Sequence, residues 1–94
     1  MTPVRYDDLT QSERRRVREK YVKHQQGRCA YCGCQLHDLP AMNVRHAKIN
    51  WTLFPRGRGF LDYPVHLHHD RKTGLTVGAV HAMCNAYMWE FLGE

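Results

Sequence analysis

The reading turns on the stretch His66–Asn85, HLHHDRKTGLTVGAVHAMCN. Its first five residues hold three histidines and an aspartate, and a Thr-Gly turn signal follows at Thr73-Gly74. Val65, Leu67 and His69 alternate with His66 and His68, which is the period of a strand. Asp70–Gly74 suits a turn, with Gly74 free to take positive φ. Leu75–Val80 suits a return strand. From His81 to about Leu92 the spacing becomes helical, with Cys84, Met88 and Phe91 at i, i+4 and i+7. Residues 63–92 thus read strand–turn–strand–helix, a hairpin followed by a helix.

Upstream, Arg28-Cys29-Ala30-Tyr31-Cys32-Gly33-Cys34 forms a C-x-x-C-G knuckle over residues 28–34. Two thiolates at this spacing can share one ion, and glycine after the second permits a left-handed turn. One such pair is half of a tetrahedral zinc site. The other half is His81-Ala82-Met83-Cys84, since i and i+3 lie about 60° apart on a helix. The expected ligand set is Cys29, Cys32, His81 and Cys84, with Cys34 a free thiol. A redox pair at Cys29 and Cys32 would need a preceding strand and a following helix, and neither is evident. Placing His68 and His69 on zinc would leave His81 and Cys84 unexplained.

Asn85 follows Cys84 and sits about 40° from His81 on the helix, on the flank away from Cys84. It can face a second centre, toward the hairpin. His68 and His69 would ordinarily point to opposite faces of the strand, so a bend there is expected if both serve one cleft. Phosphodiester cleavage needs an activated water, a cation on the leaving oxygen and charge relief at phosphorus. His69 suits the general base. His68 and the Asn85 amide oxygen suit a divalent ion, and Asp70 could orient the base. The opposing reading makes His66, His68 and His69 plain polar residues of an exposed strand.

The stretch His68–Asn85 and the C-x-x-C at Cys29 and Cys32 resemble the HNH nucleases, whose fold is called ββα-metal. The similarity is to the phage recombination-endonuclease-VII-like branch, with the pattern D-H-D-H-x-T-G-x-x-x-G-x-x-C-x-x-C-N. His69, Asp70, Thr73, Gly74, Gly78, Cys84 and Asn85 match it without a gap. The resemblance implies His69 as general base, Asn85 as a ligand of the catalytic ion, and Cys29, Cys32 and Cys84 as zinc ligands. His68 stands where the branch has an acidic ligand, which widens the expected ions to Mg²⁺, Mn²⁺, Ni²⁺ or Zn²⁺. His81 stands where the branch has a cysteine, and Thr76 where other HNH proteins have asparagine. The resemblance further implies that Arg71 and Lys72 in the turn meet DNA phosphate, joined by Arg56 and Arg58 from the middle of the chain.

The rest of the sequence bounds this reading. Residues 1–94 make one small α+β domain, short enough for a metal to matter to its stability. Residues 1–9 read as an irregular lead-in. Thr10-Gln11-Ser12-Glu13 fits a capping box, and a basic helix is expected over residues 10–26, stopped by Gly27. It carries Arg14, Arg15, Arg16, Arg18, Lys20 and Lys23 beside few apolar residues, Val17, Tyr21 and Val22. Such a charge run is a solvated face or a phosphate-facing one.

Residues 35–60 lack clean periodicity and read as loop, with one short strand near Asn50–Phe54. Trp51, Phe54, Phe60 and Tyr63 read as core, as do Met83, Tyr87, Met88, Trp89 and Phe91 on the last helix. Fourteen Lys and Arg against nine Asp and Glu give a net charge of +5, which suits a polyanionic partner such as DNA. No apolar run spans a membrane and no signal-peptide core opens the chain. A monomer in the cytoplasm is expected, the host's cytoplasm if the chain is phage-encoded. The alternative function is a zinc-stabilised DNA-binding or packaging-accessory module with a vestigial site, and a third is a zinc module that binds protein.

Overall fold

A computed structural model describes residues 1–54 and 56–94, the side chain of Arg58 excepted. The domain is α+β, and its centre is an antiparallel hairpin of β1 (Val65–His69) and β2 (Thr76–His81). Asp70 closes the turn between the strands. Its Oδ1 accepts from Lys72 N at 2.7 Å and Thr73 N at 2.9 Å, and its carboxyl is held below the usual range chiefly by these backbone donors. The register runs from Val65 opposite His81 to His68 opposite Gly78, then slips so that His69 faces Thr76. Val77 is the extra residue of this bulge, and a bulge re-aims the side chains beside it.

The lead-in is more ordered than its sequence suggested. Tyr6–Asp8 forms a 3-10 turn. Thr76 N donates to Val4 O at 2.8 Å, Val4 N to Thr76 Oγ1 at 3.1 Å, and Tyr6 N to Gly74 O at 2.9 Å. The first residues therefore pair with the edge of β2, using donors that a free edge would leave open. Helix α1 (Gln11–His24) follows with the expected capping box: Glu13 N donates to Thr10 Oγ1, and Thr10 N to a Glu13 carboxylate oxygen. The face bearing Tyr21, with Val17 and Val22 half-buried beside it, packs on the hairpin, and the Tyr21 hydroxyl lies 2.9 Å from Thr76 Oγ1.

At the end of α1, Gln25 substitutes for a strand. Ala79 N donates to Gln25 Oε1 and Gln25 Nε2 donates to Ala79 O, both at 2.9 Å. Ala30 N reaches the same Ala79 carbonyl at 3.0 Å, which ties the Cys29–Cys32 knuckle to β2.

The middle region corrects two expectations. Asn50–Phe54 is no strand: Trp51–Leu53 is a 3-10 turn begun by the Asn50 side chain, which accepts from Thr52 N at 3.1 Å. Met42–Arg45 forms a one-turn helix, α2, that drives Val44 fully into the core. The last helix starts one residue later than expected, as α3 (Ala82–Tyr87). It widens into a π-helical turn over Met88–Leu92 and ends at Gly93 in the left-handed region. Phe54 and Met88 are buried, but Tyr63, Trp89 and Phe91 are exposed, so the aromatic core is smaller than expected. The core joins Tyr21, Leu36, Val44, Leu67, Ala79, Val80, Cys84 and Met88, drawn from α1, α2, both strands, α3, the π-helical turn and the segment after the knuckle. Among the described residues no helix is long and apolar enough to cross a membrane.

Candidate functional site

Two groups of polar side chains lie on neighbouring flanks of α3. The first is Cys29, Cys32, His81 and Cys84, whose ligand atoms all lie within 4.8 Å of one another. His81 Nδ1 is 3.5 Å from Cys32 Sγ and 3.6 Å from Cys84 Sγ. With zinc–sulfur near about 2.3 Å and zinc–nitrogen near about 2.0–2.1 Å, the edge of a tetrahedron between them is about 3.6 Å. The other ring nitrogen, His81 Nε2, lies 2.9 Å from Gln35 O and 3.0 Å from Asp38 O. Facing carbonyls, Nε2 must carry the proton, which leaves the Nδ1 lone pair aimed at the thiols. Tyr31 N and Cys32 N point at Cys29 Sγ from 3.4 and 3.5 Å, and Gly33 takes the left-handed turn with φ 79°.

The thiols compete for protons. The Cys84 thiol donating to Cys29 draws the Cys29 value down, and the same bond together with burial drives Cys84 up. A divalent cation removes that conflict by allowing every sulfur to be thiolate. The cluster can thus hold a structural metal such as zinc, with the four ligands read from the sequence. Cys34 stays out of it, offering its backbone carbonyl to Cys29 N at 2.8 Å.

The second group gathers around Asn85. Its Nδ2 is 3.1 Å from His66 Nδ1 and its Oδ1 is 3.2 Å from His68 Nδ1. His66 and His68 meet it together because residues two apart on a strand share a face. His68 is buried. His69, beyond the bulge, lines a cleft of about 350 Å³ together with His66, Asn85, Tyr6, Arg14, Arg18 and Arg56. The Tyr6 ring stacks on His69 with centroids 4.0 Å apart, and the Arg14 guanidinium lies over the Tyr6 ring at 3.9 Å. His69 Nδ1 is enclosed and has no partner among the described residues. Burial holds both His66 and His69 below the ordinary histidine value. The neighbouring His68 adds to this at His69, while the Phe60 and Tyr63 carbonyls partly offset it at His66. Burial thus favours the neutral form of both rings, and a neutral imidazole can accept a proton.

The expected site residues divide. His69, Asn85 and Arg56 meet at the cleft, Arg56 with its Nη2 3.1 Å from Asp62, whereas His68 is buried, touches Asn85 and does not line the cleft. Asp70 serves the turn, as its two backbone bonds show, and so fixes His69 through the backbone. Arg71 lies over the Trp89 ring at 4.6 Å, and Lys72 is exposed. The expectation for Arg58 lies outside the described residues.

Sequence reasoning missed His66 and Tyr6, and it named Arg14 and Arg18 only within the basic run of α1 as a solvated or phosphate-facing face. His66 could have been found from its i−2 spacing to His68. Arg14 and Arg18 could have been found as the i, i+4 pair flanking Val17 and Tyr21. A larger groove of about 710 Å³, lined among others by Leu36, Pro40, Leu61, Ala82 and Met83, is mostly apolar and contains neither His69 nor Asn85. Comparison with protein-family models, with curated proteins and with solved structures gives no match.

Proposed function

We propose that the chain is a metal-dependent endonuclease of HNH, or ββα-metal, type that hydrolyses DNA phosphodiester bonds. The observation that carries this reading is a hairpin–helix unit on which His69 and Asn85 line one cleft with Arg14, Arg18 and Arg56, while the buried His68 contacts Asn85 from behind it. His68 Nδ1 and Asn85 Oδ1 stand 3.2 Å apart, close to the edge of about 3 Å between adjacent ligands of an octahedral divalent ion. A divalent ion held by His68 and Asn85 would supply charge relief at phosphorus and on the leaving oxygen. Mg²⁺, Mn²⁺, Ni²⁺ and Zn²⁺ all suit a nitrogen–oxygen pair.

His69 acts as general base: its neutral ring takes a proton from the attacking water as the bond from phosphorus to the leaving oxygen breaks. Tyr6 fixes the plane of that ring, and Asp70 fixes its backbone through the turn. Arg14, Arg18 and Arg56 attract and seat the phosphate, a contact that sets affinity and register without reading sequence. Arg71 and Lys72 extend the basic rim along the turn. Cys29, Cys32, His81 and Cys84 would hold a structural zinc, which would fix α3, and with it Asn85, against the knuckle.

The test is a plasmid-nicking assay with EDTA, Mg²⁺, Mn²⁺, Ni²⁺ and added Zn²⁺, using His69→Ala as control. Metal-dependent relaxation of supercoiled DNA is expected, and His69→Ala should abolish it while folding and DNA retention stay near wild type. Retained cleavage in that variant removes His69 from its role. No cleavage with any ion, in protein that still holds DNA, leaves the zinc-stabilised accessory module as the function.

A further inference from the structure

His66 has no part in the chemistry above, yet it is the residue on which the Asn85 amide leans. An asparagine amide has two faces of nearly equal shape, one accepting and one donating. An ion ligand is useful only with the oxygen forward. Nothing in the Asn85 side chain itself selects that orientation, so a neighbour must.

We infer that His66 is the positioning residue that locks Asn85 with its oxygen toward His68, by accepting a hydrogen bond from Asn85 Nδ2 at 3.1 Å. The assignment rests, for its consequence in ion binding, on the endonuclease reading. Several observations carry it. His66 Nδ1 and His68 Nδ1 contact opposite ends of one amide, at 3.1 and 3.2 Å. The two rings therefore take opposite roles: His66 Nδ1 presents a lone pair, and His68 Nδ1 is the nitrogen facing the oxygen. The His66 ring is itself braced by the edge of Phe60, with centroids 4.5 Å apart. With the Asn85 donor on Nδ1, the single proton of a neutral His66 ring belongs on Nε2. A histidine with its proton on Nε2 cannot accommodate the flipped amide, because the Asn85 oxygen would then meet the His66 lone pair. The reversed orientation is thus excluded by one tautomer set two bonds away.

The test uses the zinc-loaded full chain and needs no DNA. In ¹⁵N-labelled wild type, His66 Nδ1 should show the shift of an unprotonated ring nitrogen. One Asn85 side-chain amide proton should be displaced downfield and exchange slowly. Both amide features should disappear in His66→Phe and return in His66→Gln, whose carbonyl restores an acceptor. Calorimetric titration with Mn²⁺ should show binding weakened about 10- to 100-fold in His66→Phe, the usual effect of losing a partner behind a metal ligand, and largely restored in His66→Gln. Circular dichroism and zinc content report whether each variant folds. If His66→Phe does not fold, the wild-type tautomer and the His66→Gln titration decide the matter. A proton on His66 Nδ1, or Asn85 amide protons unchanged in a folded His66→Phe, overturns the assignment. Wild-type protein with the fixed amide but no Mn²⁺ uptake supports the assignment of His66 and refutes the endonuclease reading.

Discussion

Gly78 stands opposite His68 in the hairpin, and two other elements close on it from outside the sheet. A Cβ built there would lie 2.8 Å from Gln25 Oε1 and 2.9 Å from the Cβ of Ala30. Neither neighbour can retreat cheaply. Gln25 Oε1 is the acceptor for Ala79 N, and Ala30 is tied through its backbone to Ala79 O. Gly78→Ala therefore has to push the end of α1 or the knuckle away from β2. Overpacking of this kind costs about 1–3 kcal/mol. Weakening the Gln25–Ala79 pair adds about 1 kcal/mol. The lower entropy of the unfolded alanine chain returns about 0.4–1 kcal/mol. The net is a loss of about 2 kcal/mol, or a fall in melting temperature of about 8–16 °C for a domain of this size.

The assay is thermal and urea unfolding followed by far-UV circular dichroism, with zinc held in excess so that metal occupancy does not differ between variants. A double-mutant cycle makes the cause specific. Ala30→Gly removes one of the two obstructing atoms, so Gly78→Ala should cost about 1 kcal/mol less in that background, well beyond the roughly 0.3–0.5 kcal/mol scatter of independent sites. Gly78→Ala within about 0.5 kcal/mol of wild type, where ordinary surface changes fall, would refute the packing argument.

Other expectations follow from the same contacts. Chelation of zinc, or Cys84→Ala, should unfold the domain, and metal analysis of folded protein should find one tightly held zinc per chain. Arg14→Ala and Arg18→Ala should each weaken DNA binding and lower the slope of log affinity against log salt by about 1, as loss of one phosphate contact does; an unchanged slope removes that arginine from the interface. Glu13 and Asp70 are both held below their usual values by backbone donors, so each contributes stability that is present above the unfolded carboxylate pKa. That contribution is lost as pH falls through the folded value. Stability should therefore decline on the acid side, and Glu13→Gln with Asp70→Asn should flatten the decline in urea titrations.

Much of the local structure was legible because it depends on local signals. The capping box at Thr10–Glu13, the period of two in Val65–His69, the Asp70–Gly74 turn and the two halves of the Cys–His cluster, C-x-x-C and H-x-x-C, are each written within a few consecutive residues. What escaped depends on partners distant in sequence. The lead-in is ordered by Gly74 and Thr76, some seventy residues away, and nothing in the segment 1–9 announces them. Met42–Arg45 becomes helical because Val44 finds a core to enter, and four residues are too few for a propensity signal. Asn50–Phe54 carries residues that favour strands, but the Asn50 side chain accepts from Thr52 N and turns the backbone instead. The same distinction applies to the cleft. His66, His69 and Asn85 share one continuous stretch, whereas Tyr6, Arg14 and Arg18 arrive from the other end of the chain.

The two polar groups also depend on each other through α3. At six residues that helix is too short to persist unaided, and its burial comes from Ala82, Cys84 and Ala86. Cys84 is both the largest of those buried side chains and a member of the thiol cluster, and the next residue is Asn85. Any force that seats Cys84 fixes the rotation of the helix, and one residue of helix is about 100° of rotation. Asn85 can meet His66 and His68 only at one such angle. The Cys–His cluster is therefore the part that sets the angular position of the Asn85 amide, while His66 sets which end of it faces forward. Loss of the metal should disorder the Asn85 contacts before it disturbs the hairpin, whose own ladder from Val65–His81 to His68–Gly78 does not pass through the cluster except at His81.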